Sequence, residues 1–90
     1  MITVVKFLNK GRYCDLSGNR IQIEVLDLLN RKHILLSFNK YTKLFPKMYN
    51  TMNGYSPEFN AIISYDEDNR NRVKIIDDKK YVKKYAMYLI

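Results

Sequence analysis

The stretch RIQIEVLDLLNRKHILLSF, residues 20–38, is the longest apolar segment of the chain, and its reading decides the fold. Ile21, Ile23 and Val25 alternate with Arg20, Gln22 and Glu24, which is the period of a half-buried strand. Adjacent Leu28 and Leu29 break that alternation. Asn30, Arg31 and Lys32 read as a polar turn, and Ile34, Leu36 and Phe38 resume a period of two. A β-hairpin is therefore expected, with an irregularity, a bulge, between residues 25 and 29. A helix competes with it, because Ile21, Val25, Leu28 and Leu29 also fall at i, i+4, i+7 and i+8 behind Asn19 as an N-cap. The β-branched residues at 21, 23 and 25 favour the strand.

Upstream, ITVVKFL (residues 2–8) is a further strand candidate, followed by a turn over Asn9, Lys10 and Gly11 in which Gly11 supplies positive φ. A short strand over residues 12–16 and a second turn at Ser17, Gly18 and Asn19 complete an expected four-stranded antiparallel meander. Downstream the period changes. Tyr41, Leu44, Phe45, Met48, Tyr49 and Met52 have helical spacing, with Lys40, Lys43 and Lys47 on the opposite side. Asn39 is the expected N-cap of this segment and Gly54 its stop. Pro46 would cost ~3 kcal/mol inside a helix but is tolerated in a first turn, so a turn followed by a helix starting near Pro46 is expected.

FNAIISY (residues 59–65) and RVKII (residues 72–76) read as strands around the polar loop DEDNRN. Asp77 and Asp78 can cap a final amphipathic helix. Lys79, Lys80, Lys83 and Lys84 share one side of it; Tyr81, Val82, Tyr85, Tyr88 and Leu89 share the other, with Tyr85 expected in the core. The pattern predicts a single α+β domain over residues 1–90. Its centre is a small antiparallel β-sheet or OB-like partly open barrel of about six strands. One helix lies between strands and an amphipathic helix ends the chain.

Ninety residues leave too little core for a large internal pocket. No signal-peptide pattern and no apolar run of ~20 residues is present, so a cytoplasmic protein is expected, inside the host cell if the gene is viral. The lone Cys14 fits a reducing compartment. Lys, Asn, Ile and Tyr supply 37 of the 90 residues. All four can be written with AT-rich codons, which suggests a low-GC bacterium, its phages or mobile elements, or a virus.

Enzyme readings fail on inventory. Cys14 and the only histidine, His33, are a conceivable thiol–imidazole pair, but nothing local supports it. Asp66, Glu67 and Asp68 are contiguous rather than alternating as in calcium loops, and Cys and His are too few for zinc. No catalytic residue, metal or cofactor is expected. The strong signal is the net charge of +7, from 16 basic and 9 acidic residues, which attracts polyanions. Candidate contact residues are Lys79, Lys80, Lys83 and Lys84 of the last helix, Lys40, Lys43 and Lys47 of the first, and the turn residues Arg70, Arg72, Arg31 and Lys32. Tyrosines interleaved with the last lysine cluster offer stacking surfaces.

The function expected first is a non-enzymatic nucleic-acid-binding module that contacts backbone phosphates of DNA or RNA with little base reading. The alternative is a phage-encoded counter-defence inhibitor, anti-CRISPR-like, that binds and blocks an acidic host protein or ribonucleoprotein. Tyrosines in place of Trp, Phe and Leu on the last helix argue against a membrane surface.

Overall fold

Five strands form one antiparallel sheet: β1 (Ile2–Tyr13), β2 (Arg20–Asp27), β3 (Lys32–Asn39), β4 (Phe59–Tyr65) and β5 (Val73–Ile75), in the order β3-β2-β1-β4-β5. This is the architecture of a computed structural model that describes residues 1–13, 19–70 and 72–89. The sheet curls into a half-barrel. Helix α1 (Phe45–Met52) lies between β3 and β4, and a short helix α2 (Lys79–Lys84) continues into a 3₁₀ turn at Ala86–Tyr88. The expected α+β fold with a partly open barrel is the one observed.

Residues 20–27 are strand, and the helical alternative for them fails. The β2–β3 register is unbroken from Arg20↔Asn39 to Asp27↔Lys32, so the expected bulge near residues 25–29 is absent. Leu28 and Leu29 break the alternation because they begin the connecting turn, which closes at Arg31 with φ 54. The irregularity sits in β1 instead. Its register jumps between Phe7↔Val25 and Gly11↔Ile23, so three residues of β1 oppose the single Glu24 of β2. The expected turn at residues 9–11 is this bulge, which joins two expected strands into one and leaves five strands rather than about six.

Alternation places Val5, Phe7, Ile21, Ile23, Val25, Ile34, Leu36, Phe38, Ala61, Ile63 and Tyr65 in one core, with Met48 and Met52 of α1 filling the concave side. Phe7 stacks on Phe59 at 4.8 Å and tilts against Phe38 at 5.7 Å. On the other face Val4 pairs with Ile62, and both are buried although they lie outside that core. Asn60 Nδ2 donates to the Tyr88 carbonyl at 2.6 Å, which ties the C-terminal segment to this outer side of β4.

Helix α1 begins at Phe45 with Pro46 in its first turn, as the proline chemistry requires. Its N-cap is Leu44 in the left-handed region, not Asn39. Asn39 Oδ1 instead accepts from the Tyr41 backbone N–H at 3.0 Å and caps the turn before the helix. The helix ends in a Schellman arrangement: Tyr55 N–H donates to the Asn50 carbonyl at 2.8 Å and Gly54 N–H to the Thr51 carbonyl at 3.1 Å. Gly54 takes φ +79 with open space around its α-carbon. Gly54→Ala is thus expected to cost roughly 1 kcal/mol of backbone strain with no steric clash, and urea unfolding reads it directly. No helix among the described residues is long and apolar enough to cross a membrane.

Candidate functional site

Curling brings the two ends of the sheet alongside each other. Ser37 N–H of β3 donates to the Arg70 carbonyl at 3.3 Å, just ahead of β5. Further along, Lys43 Nζ pairs with Asp77, beyond β5. Residues 37–43 thus run beside Arg70 and residues 72–77 in the same direction, forming a seam where a closed barrel would have its last ladder. Helix α2 starts two residues after Asp77, its first turn capped by Asp78 Oδ1, which accepts from Lys80 N–H at 2.9 Å.

Three separate basic segments therefore meet on one strip: Lys40 and Lys43 from the turn after β3, Arg70 and Arg72 from the β4–β5 connection, and Lys79 and Lys80 from α2. All six are exposed. Arg20 extends the strip across the outer face, with Nε donating to Ser37 Oγ at 3.0 Å and Nη2 to the Ser37 carbonyl at 3.3 Å. Arg12 lies one strand further over, its Nε 3.1 Å from Gln22 Oε1.

Among the described residues Lys43 forms the ion pair of the strip: its ammonium hydrogen-bonds Asp77 and holds that carboxyl below its ordinary value. The other ion pairs among the described residues are Lys32–Glu67, which joins the start of β3 to the β4–β5 connection at the far end of the seam, and His33–Glu24 between β3 and β2.

Other expected contact residues do not join. Lys32 begins the eight-residue β3, about 25 Å from Lys40 at the usual strand rise, with Arg31 in the turn before it, and Lys32 is engaged at 3.1 Å by Glu67 of the β4–β5 connection. Lys40, Lys43 and Lys47 do not form one helix face, because only Lys47 is inside α1. Its Nζ sits 4.3 Å from the centroid of the Phe59 ring. Lys83 and Lys84 are exposed one turn further along α2. Tyr85 is half-buried and outside the core, and α2 has no buried residue, contrary to the expected packing. Its six residues are too short to lay a full apolar stripe on the sheet, whose concave face α1 already fills.

His33 Nδ1 is 3.0 Å from Glu24 Oε1 on the surface, while Cys14 lies outside the described residues. Asp66 Oδ1 accepts from Asp68 N–H at 2.8 Å, Glu67 faces Lys32, and no group of three or more potential ligands forms among the described residues.

Sequence reasoning passed over Asp27. It continues the inward series 21, 23, 25 and is fully buried. Thr3 Oγ1 donates to Oδ1 at 2.5 Å, as do the N–H groups of Leu29 and Asn30 at 3.1 Å; Asn30 Nδ2 donates to Oδ2 at 2.8 Å. Burial pushes this carboxyl up, but the hydrogen bonds from Thr3, Asn30 and Leu29 outweigh it and hold it below its ordinary value. Its own burial, and then the Asp27 charge, push the Tyr65 hydroxyl up. Asp27 closes the β2–β3 turn through its bonds to Leu29 and Asn30.

Comparison with protein-family models, with curated proteins and with solved structures finds no match to this chain.

Proposed function

We propose that this protein is a non-enzymatic, cytoplasmic nucleic-acid-binding module that holds backbone phosphates along the β3–β5 seam. The observation that carries the reading is that the segments bearing Lys40, Arg70, Arg72, Lys79 and Lys80 meet along one seam with all five exposed, while two of the carboxylates on those segments, Glu67 and Asp77, are taken up by Lys32 and Lys43. Such a strip is a continuous electrostatic track, and Arg and Lys on exposed turns reach phosphates without ordering anything else. Phosphate contacts carry no sequence information, so affinity without sequence preference is expected.

The test is a salt titration of binding to DNA of mixed sequence. Affinity is expected to fall steeply with salt. Replacing Lys79, Lys80, Lys83 and Lys84 together with Gln should reduce the slope by roughly 0.9 for each duplex phosphate that a lysine neutralises in the parent. Stability should hardly change, because exposed substitutions of this kind stay within about 0.5 kcal/mol each. A quadruple variant that binds with the parent's affinity and slope would remove α2 from the binding face.

A second reading, the counter-defence inhibitor, is supported by Val82, Met87 and Tyr88. They stand 40, 76 and 36 % exposed on and just beyond the lysine-bearing helix, and a mixed apolar and cationic surface suits a protein interface. Binding that is absent from nucleic acid but present on an acidic host protein, and abolished in the same variant, would establish it in place of the first.

A further inference from the structure

The seam carries rings as well as charges. Tyr41, in the turn between β3 and α1, is 83 % exposed, the most exposed large hydrophobic side chain among the described residues. Its backbone is nevertheless held firmly. Lys40 N–H donates to the Asn19 carbonyl at 2.8 Å, and Tyr41 N–H to Asn39 Oδ1 at 3.0 Å. Thr42 N–H then donates to the Asn39 carbonyl and Phe45 N–H to the Thr42 carbonyl, both at 3.0 Å. A ring on a pinned turn, contributing nothing to the core, is pre-organised for something outside the molecule.

Three tyrosines on these segments, Tyr41, Tyr81 and Tyr85, also have a lysine immediately before them in sequence and over the ring face. Lys40 Nζ is 5.2 Å from the Tyr41 centroid, Lys80 Nζ is 5.0 Å from that of Tyr81, and Lys84 Nζ is 5.3 Å from that of Tyr85. The Lys43–Asp77 pair joins the two groups across the seam. Alternating cation and ring matches the alternating phosphate and base of an unpaired strand, whereas a duplex keeps its base faces stacked internally.

Resting on the phosphate-binding reading, we infer that the ligand is single-stranded nucleic acid, laid along the seam with one base stacked on Tyr41. Tyr41 supplies the platform, Lys40 and Lys80 the adjoining phosphate contacts, and Arg70 and Arg72 the continuation of the track. Lys43, already paired with Asp77, braces the seam rather than binding the strand. Because every base has a π face, the stack adds affinity without reading sequence.

The experiment measures fluorescence anisotropy of a labelled oligothymidine and of a mixed-sequence duplex of the same length, with the parent protein, Tyr41→Ala and Tyr41→Trp. The single strand is expected to bind more tightly than the duplex. Tyr41→Ala should lose about 5- to 150-fold on the single strand, the range for one base–ring stack, with the salt slope and duplex affinity unchanged. The chain has no tryptophan of its own, so the indole of Tyr41→Trp is a unique reporter, and saturating oligothymidine should quench it. Unchanged single-strand affinity in Tyr41→Ala, or indole emission that does not respond to saturating oligothymidine, overturns the stacking assignment while leaving phosphate binding intact. A preference for the duplex overturns it too. Failure of both nucleic acids to bind at low salt removes the phosphate-binding reading itself.

Discussion

Asp27→Ala is expected to remove roughly 3 kcal/mol of stability at neutral pH, since losing a buried acceptor strands donors at about 1–3 kcal/mol each. The groups left behind are the Thr3 hydroxyl and the backbone N–H groups of Leu29 and Asn30, all of which now donate to one carboxylate oxygen, and the Asn30 amide and Tyr65 hydroxyl on the other. Thr3 is itself fully buried and cannot turn to water. The two N–H groups set the conformation of the turn, in which Arg31 adopts φ 54. The loss therefore combines unsatisfied donors with a freed connection between β2 and β3. Asp27→Asn keeps the shape and one acceptor oxygen, so it should cost less.

The charge of Asp27 also sets a direction with pH. Its folded pKa lies below the ordinary carboxylate value, so folding is favoured by the ionised form. That contribution is complete above the unfolded pKa of about 3.9 and disappears as pH falls through the lower folded value. Urea unfolding at pH 7, 5 and 3 should show the parent losing stability below about pH 4 more steeply than Asp27→Asn, which has no proton to take up there. Parallel curves for the two proteins would mean that Asp27 does not carry the acid sensitivity.

Asp27 also marks where the sequence stopped being readable. Alternation alone placed Ile21, Ile23, Val25, Ile34, Leu36 and Phe38 in the core, where all six are buried. Proline chemistry located the start of α1, and Asp78 caps α2 as its position suggested. These are local rules, and they held. The acid at the end of the inward series was legible by parity, but composition argues for solvent at such a position, and only the converging donors reverse that. The basic residues were visible individually. Their grouping was not, because it depends on the sheet curling until residue 37 meets residue 70. Nor could spacing separate Lys40 and Lys43 from Lys47, since a turn and a helix can carry the same charges. At residues 9–11 a glycine after polar residues marks a hairpin turn and a bulge equally well.

That glycine yields the other large effect. Gly11→Ala is expected to cost about 1–3 kcal/mol and Gly11→Val more, because the site is already overfilled. A β-carbon on Gly11 would stand 2.5 Å from the Gln22 carbonyl oxygen, 2.5 Å from Met52 Cγ and 2.7 Å from Met52 Sδ. Positive φ is not the constraint here, in contrast to Gly54. The constraint is the close approach of β1 to β2 at the end of the bulge, under the last turn of α1. Met52 is a flexible side chain and can move aside; the Gln22 carbonyl belongs to the β2 backbone and cannot without disturbing the ladder. The two clashes are separable in a double-mutant cycle with Met52→Ala, which leaves only the clash with Gln22. Gly11→Ala should cost less in the Met52→Ala background than in the parent, by a coupling of about 0.5–3 kcal/mol, yet should still destabilise. If Gly11→Ala unfolds at the parent's urea midpoint, the bulge does not bring the strands this close, and the continuous twelve-residue β1 that shapes the half-barrel is wrong at its middle.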